Sequence, residues 1–444
     1  MTRYIKMSLL VLALVSVFTT LPFKSSAQFN RPGVVKTILL PGAEVSRSAL
    51  RKARTGLKTI AVPIPPGATE APTGLELRSN GLVSKEKFDE AAAEFGALET
   101  VEEGLGPLRN GNSCADCHRN PFGGHGTTIE INAGHNEKRG GKLNFVPAPG
   151  GTIIALLSTN AEFQERVPDI EKITSRRTTL SVLGLGFLES VSLQSRIDIA
   201  ERQYAETNGR IRGAILMVDD PEAPGKKSPG AFGHKGAVQR LDLFAAGAYQ
   251  VEMGITSPLF PLEQTSLGRS VAEIDPARDP EDDGEDVELF AVFMRASLAP
   301  SRSPLGTTQA AKNGERVFER IGCARCHVQT LVTAAAGTRI GSFVVPEGLA
   351  LKIFHPFTDL LLHDIGTGDG LPAQDAPLAT RNLFRTAPLW LLRAKPAGFL
   401  HDARALSIEQ AILSHSGEAK MESKAFSKLK GIDRRDLFLF LETL

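Results

Sequence analysis

This sequence predicts a mainly α chain of two related domains, with short β insertions and an irregular N-terminal arm. Three observations lead there. Helical apolar periodicity precedes each of two copies of one five-residue motif. The copies are Cys114-Ala-Asp-Cys117-His118 and Cys323-Ala-Arg-Cys326-His327, and they account for all four cysteines of the 444 residues. Finally, 42 glycines and 27 prolines cut the intervening stretches into loops and short strands.

The repeated motif is the attachment pattern of c-type haem. Two thiols about one helical turn apart can each add to a vinyl group of one porphyrin, and the adjacent histidine offers iron a proximal nitrogen. Zinc also binds paired Cys-x-x-Cys runs, but zinc modules keep their pairs some tens of residues apart. Here roughly two hundred residues intervene. A thioredoxin-like redox pair needs no histidine after it. The expectation is two covalently bound haem c groups, held by Cys114, Cys117, Cys323 and Cys326, with His118 and His327 as iron ligands. Each domain is then cytochrome-c-like, enclosing one haem.

The N-terminus agrees. Residues 1–7 are short and basic, and Ser8 to Phe18 is an apolar run too short to span a bilayer comfortably. Small residues Ser25-Ser-Ala27 precede Gln28, so residues 1–27 read as a signal peptide and the mature chain as periplasmic. No stable membrane span is expected after cleavage. A net charge of +1 gives no basis for a nucleic-acid partner, and the basic run at 51–54 reads as solvated surface.

Along the chain, residues 28–83 form the irregular arm, because runs such as Ala61-Val-Pro-Ile-Pro-Pro-Gly67 disfavour helix. The first domain is expected over 84–300. It opens on a helix with Ser84 as N-cap and Phe88, Ala91, Ala92 and Phe95 on one face. Short strands are expected at 127–131, 142–146 and 151–156. From about Ala161 to Ala205 the pattern reads as helix, broken by Leu183-Gly-Leu-Gly-Phe187. The acidic stretch 275–286 reads as a linker and solvated loop, without the ligand spacing of an EF-hand. The next helix carries Val287, Leu289, Phe290 and Phe293. The second domain, 301–444, repeats helix then motif, with a hairpin over 338–349.

Further motifs make the sequence resemble a known family. They are Arg177 to Leu180, Gly184 to Glu189, Phe232-Gly-His234-Lys-Gly236 and Met253 to Phe260. In the second half come Phe357 to Gly370, Arg385 to Trp390, Phe399-Leu-His401-Asp402 and Ala411 to Glu418. With the two Cys-x-x-Cys-His runs, in this order, they resemble the di-haem c-type oxidoreductases. That peroxidase-like, thiol-oxidoreductase-like family is related to the bacterial di-haem cytochrome c peroxidases and the methylamine-utilisation di-haem enzyme.

The resemblance implies site residues. His415 stands where relatives place the second ligand of the C-terminal haem. Ser407-Ile-Glu-Gln410 also reads as a capping box for a helix carrying Ile408, Ala411, Ile412 and His415 on one face. His118 has no single distal partner: His125, His135, His234 and an open position all stand. Glu189 falls where the family suggests an acid–base group over the first haem. Trp390, the only tryptophan, is a core aromatic or a conduit between haems. His363 and His401 are expected in structural or propionate contacts. Calcium is unassigned, because the positions near Pro396 and Gly398 lack the Thr and Pro that relatives use.

The implied function is a periplasmic di-haem, peroxidase-like oxidoreductase. Electrons from a small cytochrome or cupredoxin would pass from the C-terminal haem to the N-terminal haem, and on to a small oxidant such as hydrogen peroxide. The alternative is a non-catalytic electron-transfer cytochrome, or an accessory redox module for a partner enzyme.

Overall fold

The computed structural model describes residues 37–39 and 60–444, apart from 222, 223, 374 and 397. The expected signal peptide, most of the arm before residue 60 and the basic run at 51–54 lie outside the described residues. The mainly α expectation is corrected: the protein is 33% helical and 18% strand, with the strands spread over several small sheets. The reason lies between the helices. Segments rich in β-branched residues pair there, and pairing satisfies backbone groups that buried loops would leave open.

The largest sheet is built on the long strand Ile129–Arg139. Lys142–Pro147 returns along it in a tight hairpin, with Arg139 opposite Lys142, and Ile153–Ile154 pairs further back. Ile173–Thr178 also runs antiparallel to it, from Ile129 opposite Thr178 to Gly134 opposite Ile173. That last strand corrects the helical reading of 161–205. α-Helix is confined there to Leu185–Glu189 and Leu193–Glu206, with one 3₁₀ turn at Ala161–Phe163. The glycines expected to break a helix instead start one, with Gly184 as a left-handed N-cap at φ 72°.

Two helical groups frame the motifs. The Lys85–Gly96 helix is capped by Ser84, which accepts from the Lys87 amide, and buries Phe88, Ala91 and Phe95. These pack on Phe293 of the Glu285–Ala296 helix, with Phe95 and Phe293 rings 4.4 Å apart. In the second group, Gln309–Ile321 lies along the C-terminal helix Gly431–Leu441. Gly314 permits that approach, since a Cβ there would stand 1.9 Å from the Asp436 carbonyl oxygen.

The main apolar cluster does not stop at residue 300. It joins Phe88, Phe187 and Phe293 to Phe354, Leu361 and Trp390. Strand Lys352–Phe354 pairs in parallel with Thr69–Glu70, and Ala214 bridges to Leu362. A second cluster, with Val317, Phe318, Phe426 and Phe440, sits under the second motif. Among the described residues, no helix is long and apolar enough to cross a membrane.

Candidate functional site: two cavities and their cysteine–histidine motifs

Each Cys-x-x-Cys-His run lies in the wall of its own cavity, of about 310 Å³ for the first and about 250 Å³ for the second. At the first, Ser113 caps the short helix Cys114–Cys117 by accepting from the Ala115 amide. His118 closes the turn through its amide to the Cys114 carbonyl, 3.1 Å. The glycine-rich loop then folds back, and the Gly124 carbonyl meets His118 Nδ1 at 3.2 Å. Only glycine permits this packing, because a Cβ on Gly126 would stand 1.8 Å from the Cys117 carbonyl oxygen.

The second site repeats the arrangement with different parts. Gln309–Ile321 ends on Gly322 in the left-handed region, φ 94°, and a single 3₁₀ turn, Cys323–Arg325, follows. His327 closes it with its amide on Cys323 O, 3.0 Å, and its Nδ1 meets the Phe357 carbonyl at 3.1 Å. His415 lines this same cavity. It follows the helix Ile408–Ser414, which Ser407 caps, and its Nδ1 meets the Ala411 carbonyl at 2.7 Å. For His327 and His415 the carbonyl assigns the proton to Nδ1 and leaves Nε2 able to ligate a metal, whereas the His118 ring also meets the Leu180 carbonyl.

The surroundings fit haem better than zinc or a redox pair. Burial pushes all four thiols up, Cys117 to about 11 and Cys323 to about 12, the reverse of an activated redox thiol. Both cavities have largely apolar side-chain walls, including Leu185, Phe232 and Phe290 in the first and Ile412, Leu437 and Leu441 in the second. Their polar atoms wait for partners. Arg177 Nε, Arg385 Nη1 and His401 Nε2 are buried with no hydrogen-bond partner among the described residues, and all three residues belong to cavity walls. Propionates would satisfy such donors.

The other sequence candidates separate. His125 lines the second cavity, not the first, with Nδ1 buried and unpartnered. His135 lines neither; it bonds Glu171 at 2.8 Å. His234 lines both, and its Nε2 is committed to the Thr178 carbonyl at 2.9 Å. Trp390 lines neither and packs on Phe354. Leu180, His234 and Arg385 are the residues common to both walls. His363 is fixed between Asp359 and Glu418, 2.8 Å from each. His401 stacks on Phe384 with centroids 3.8 Å apart.

Glu189 lines neither cavity. Its carboxylate takes Arg295 Nε at 2.6 Å and Nη2 at 3.0 Å, and also the Leu241 amide at 2.8 Å. It therefore anchors the start of the Leu241–Ala248 helix, which has no side-chain cap of its own, and leaves no idle edge for proton transfer. Two carboxylates that sequence reasoning missed do line the first cavity, Glu130 and Glu252. Burial, and then the neighbouring Glu130, push Glu252 up to about 8, and Asn110 Nδ2 donates to it at 2.8 Å. No local sequence signal pairs them, since one sits on a strand and the other on a π-helical turn more than a hundred residues later. In the acidic stretch, Asp275, Asp279 and Glu281 gather with Glu263; such a cluster by itself assigns no ion.

Two cavities, each walled by a Cys-x-x-Cys-His run, fit a di-haem protein class, and comparison places the chain within it. The model of the family described as "Di-haem oxidoreductase, putative peroxidase" matches residues 158–444, and the chain belongs to that family. Membership makes it a peroxidase-type oxidoreductase with two haem groups. No curated protein matches. Among solved structures, the diheme peroxidase BthA from Burkholderia thailandensis E264 aligns at 15% identity, over 87% of this chain and 95% of its own, with a TM-score of 0.35. That score is too low to bear on fold or chemistry.

Proposed function

We propose that this protein is a periplasmic di-haem c-type peroxidase, taking electrons at the His327/His415 site and reducing peroxide at the His118 site. One asymmetry carries the reading. The second cavity offers a second imidazole, His415, tied back through Nδ1 just as His327 is. At the first, the three sequence candidates are placed elsewhere or committed through a ring nitrogen. His327 and His415 would both hold the iron of one haem, whereas His118 alone would hold the other and leave it able to take a small oxidant.

Each cysteine S–H adds across a vinyl group, sulfur to one carbon and hydrogen to the other, so attachment needs no oxidant. The buried, high-pKa thiols are suited to that permanent bond and poorly suited to exchange. Export follows from the attachment chemistry, which in bacteria takes place outside the cytoplasm. When bound, haem supplies one-electron storage and the coordination chemistry of iron.

The chain supplies the proton handling. Peroxide, two electrons and two protons give two waters, and the electrons come from a donor protein. Glu252, held protonated by burial and by Glu130, delivers a proton in the first cavity. Leu180, His234 and Arg385 fill the partition between the sites. Burial first, and then the Arg177 charge, keep His234 neutral against the Thr178 carbonyl, which favours the protonated ring. Asp369 gathers Lys235 at 2.8 Å and Arg177 at 3.2 Å. Against the opposing effect of burial, these cations hold it down at about 2, so a fixed negative charge orients the cations beside the first cavity.

Carbon monoxide added to the reduced protein and cyanide to the oxidised protein test the assignment. One haem of the two is expected to bind each ligand, with peroxide turnover supported by a reduced donor. Two haems that refuse both ligands would replace this reading with a plain electron carrier.

A further inference from the structure

We infer that the exposed face of the Lys420–Ser427 helix is the docking surface for a small acidic electron-transfer protein that delivers electrons to the C-terminal site. This rests on reading the second cavity as a haem site. The helix has two unlike faces. Ala419, Glu422 and Ser423 line the second cavity, and Phe426 is fully buried in the apolar cluster beneath. On the other side Met421, Lys424 and Lys428 follow one another at i, i+3 and i+7, with Lys420 beside them, and all four are exposed. A helix is about 10 Å thick with its side chains, so this face is one helix away from the cavity wall.

The charge here is lopsided. Residues 420–435 carry six lysines and arginines against two acids, on a chain of net charge +1. The acids are already spoken for. Glu422 points inward onto Arg210 and Arg325, at 2.6 and 2.8 Å, and Asp433 pairs with Arg320 at 2.5 Å. The arginines are paired too, Arg434 with Glu409 and Arg435 with Asp436. Lys420, Lys424, Lys428 and Lys430 form no ion pair among the described residues, which leaves their charge to the solvent side. Met421 is 57% exposed, and Leu413 and Ile432 on the adjoining helices are 48% and 62% exposed. Exposed apolar side chains beside uncompensated lysines suit a transient redox encounter: opposite charge steers the partner, and apolar contact excludes water between the two groups. The sign of the charge selects an acidic donor and disfavours a basic one.

The experiment uses the mature di-haem protein, a pre-reduced small acidic cytochrome, a pre-reduced small basic cytochrome and a neutral hydroquinone. Stopped-flow absorbance follows reduction of the C-terminal haem. With the parent protein, the acidic donor's rate should fall about tenfold or more as salt rises from low to physiological strength and beyond, while the basic donor's should not fall. The combined variant Lys420→Glu, Lys424→Glu, Lys428→Glu should lose the acidic donor's rate by a similar factor and keep the parent's rate with hydroquinone. Single Lys→Gln changes, each on an exposed side chain, should give smaller losses in the same direction. An acidic-donor rate indifferent to salt, or unchanged in the charge-reversed variant, would overturn the docking surface. Absence of the second covalent haem in the parent would instead overturn the site reading on which it rests, and haem content is measured separately.

Discussion

His327 and His415 line one cavity, and each is tied through Nδ1 to a backbone carbonyl, Phe357 at 3.1 Å and Ala411 at 2.7 Å. The two rings are thus prepared alike, although one belongs to the cysteine motif and the other follows a helix eighty-odd residues later. Tying back the far nitrogen orients a metal-binding imidazole and raises its basicity. Burial lowers the pKa of both rings, so both are neutral and able to ligate at physiological pH.

Changing His415 to alanine should move the C-terminal haem from low spin towards high spin and leave two haems on the chain. The thioethers do not involve the sixth ligand, so attachment survives its loss. Electron paramagnetic resonance and visible spectra identical to the parent's would show that His415 is not a ligand.

The proposed covalent attachment would set haem content site by site. The denatured protein should carry two haems, visible by haem staining after gel electrophoresis. Cys323→Ala with Cys326→Ala should leave one, carried by Cys114 and Cys117. A count of zero accompanied by bound zinc would reject the assignment.

Glu252→Gln should lower peroxide turnover by about a hundredfold, the usual scale of a lost general acid, with both haem spectra kept. Stability gives a second readout. Folding raises the Glu252 pKa from an ordinary value of about 4.3 to about 8. Between those values the folded chain holds a proton that the unfolded chain has lost, so stability falls as pH rises through this window. Thermal melts should show that the parent loses more stability than Glu252→Gln between pH 6 and 9; equal losses would remove Glu252 as the titrating group.

Glu189→Ala should destabilise the fold without changing the character of either haem. Removing one partner of a buried pair leaves the other uncompensated, at about 3–5 kcal/mol, and Arg295 would keep only the more distant Asp242, 3.6 Å away, among the ion pairs of the described residues. Denaturant titration measures the loss. A variant of parental stability but with abolished peroxide turnover would restore Glu189 to the acid–base role.

Local chemistry was legible in the sequence because it is local. Five residues suffice to bring two thiols and an imidazole to one ring, and Ser84 and Ser407 announce their helices because a hydroxyl cap serves amides two or three residues on. The Ile408–Ser414 helix came with its histidine for the same reason. What needs partners far along the chain was not legible. Ile173–Thr178 became a strand because Ile129–Arg139 lay ready to pair with it, and the overall balance left mainly α for a mixture with many small sheets. Glu189 reads as a candidate acid until Arg295, more than a hundred residues later, closes on it. Glu130 and Glu252 carry no mark in the sequence, and only the fold brings both into the wall of the first cavity. The sequence by itself determined the two Cys-x-x-Cys-His runs and the helix starts at Ser84 and Ser407, since those depend on neighbours within a turn. Tertiary structure alone decided which carboxylates face the first cavity, which histidine stands between the sites and which lysines remain unpaired, because burial and Coulomb interaction depend on distance in space and not along the chain.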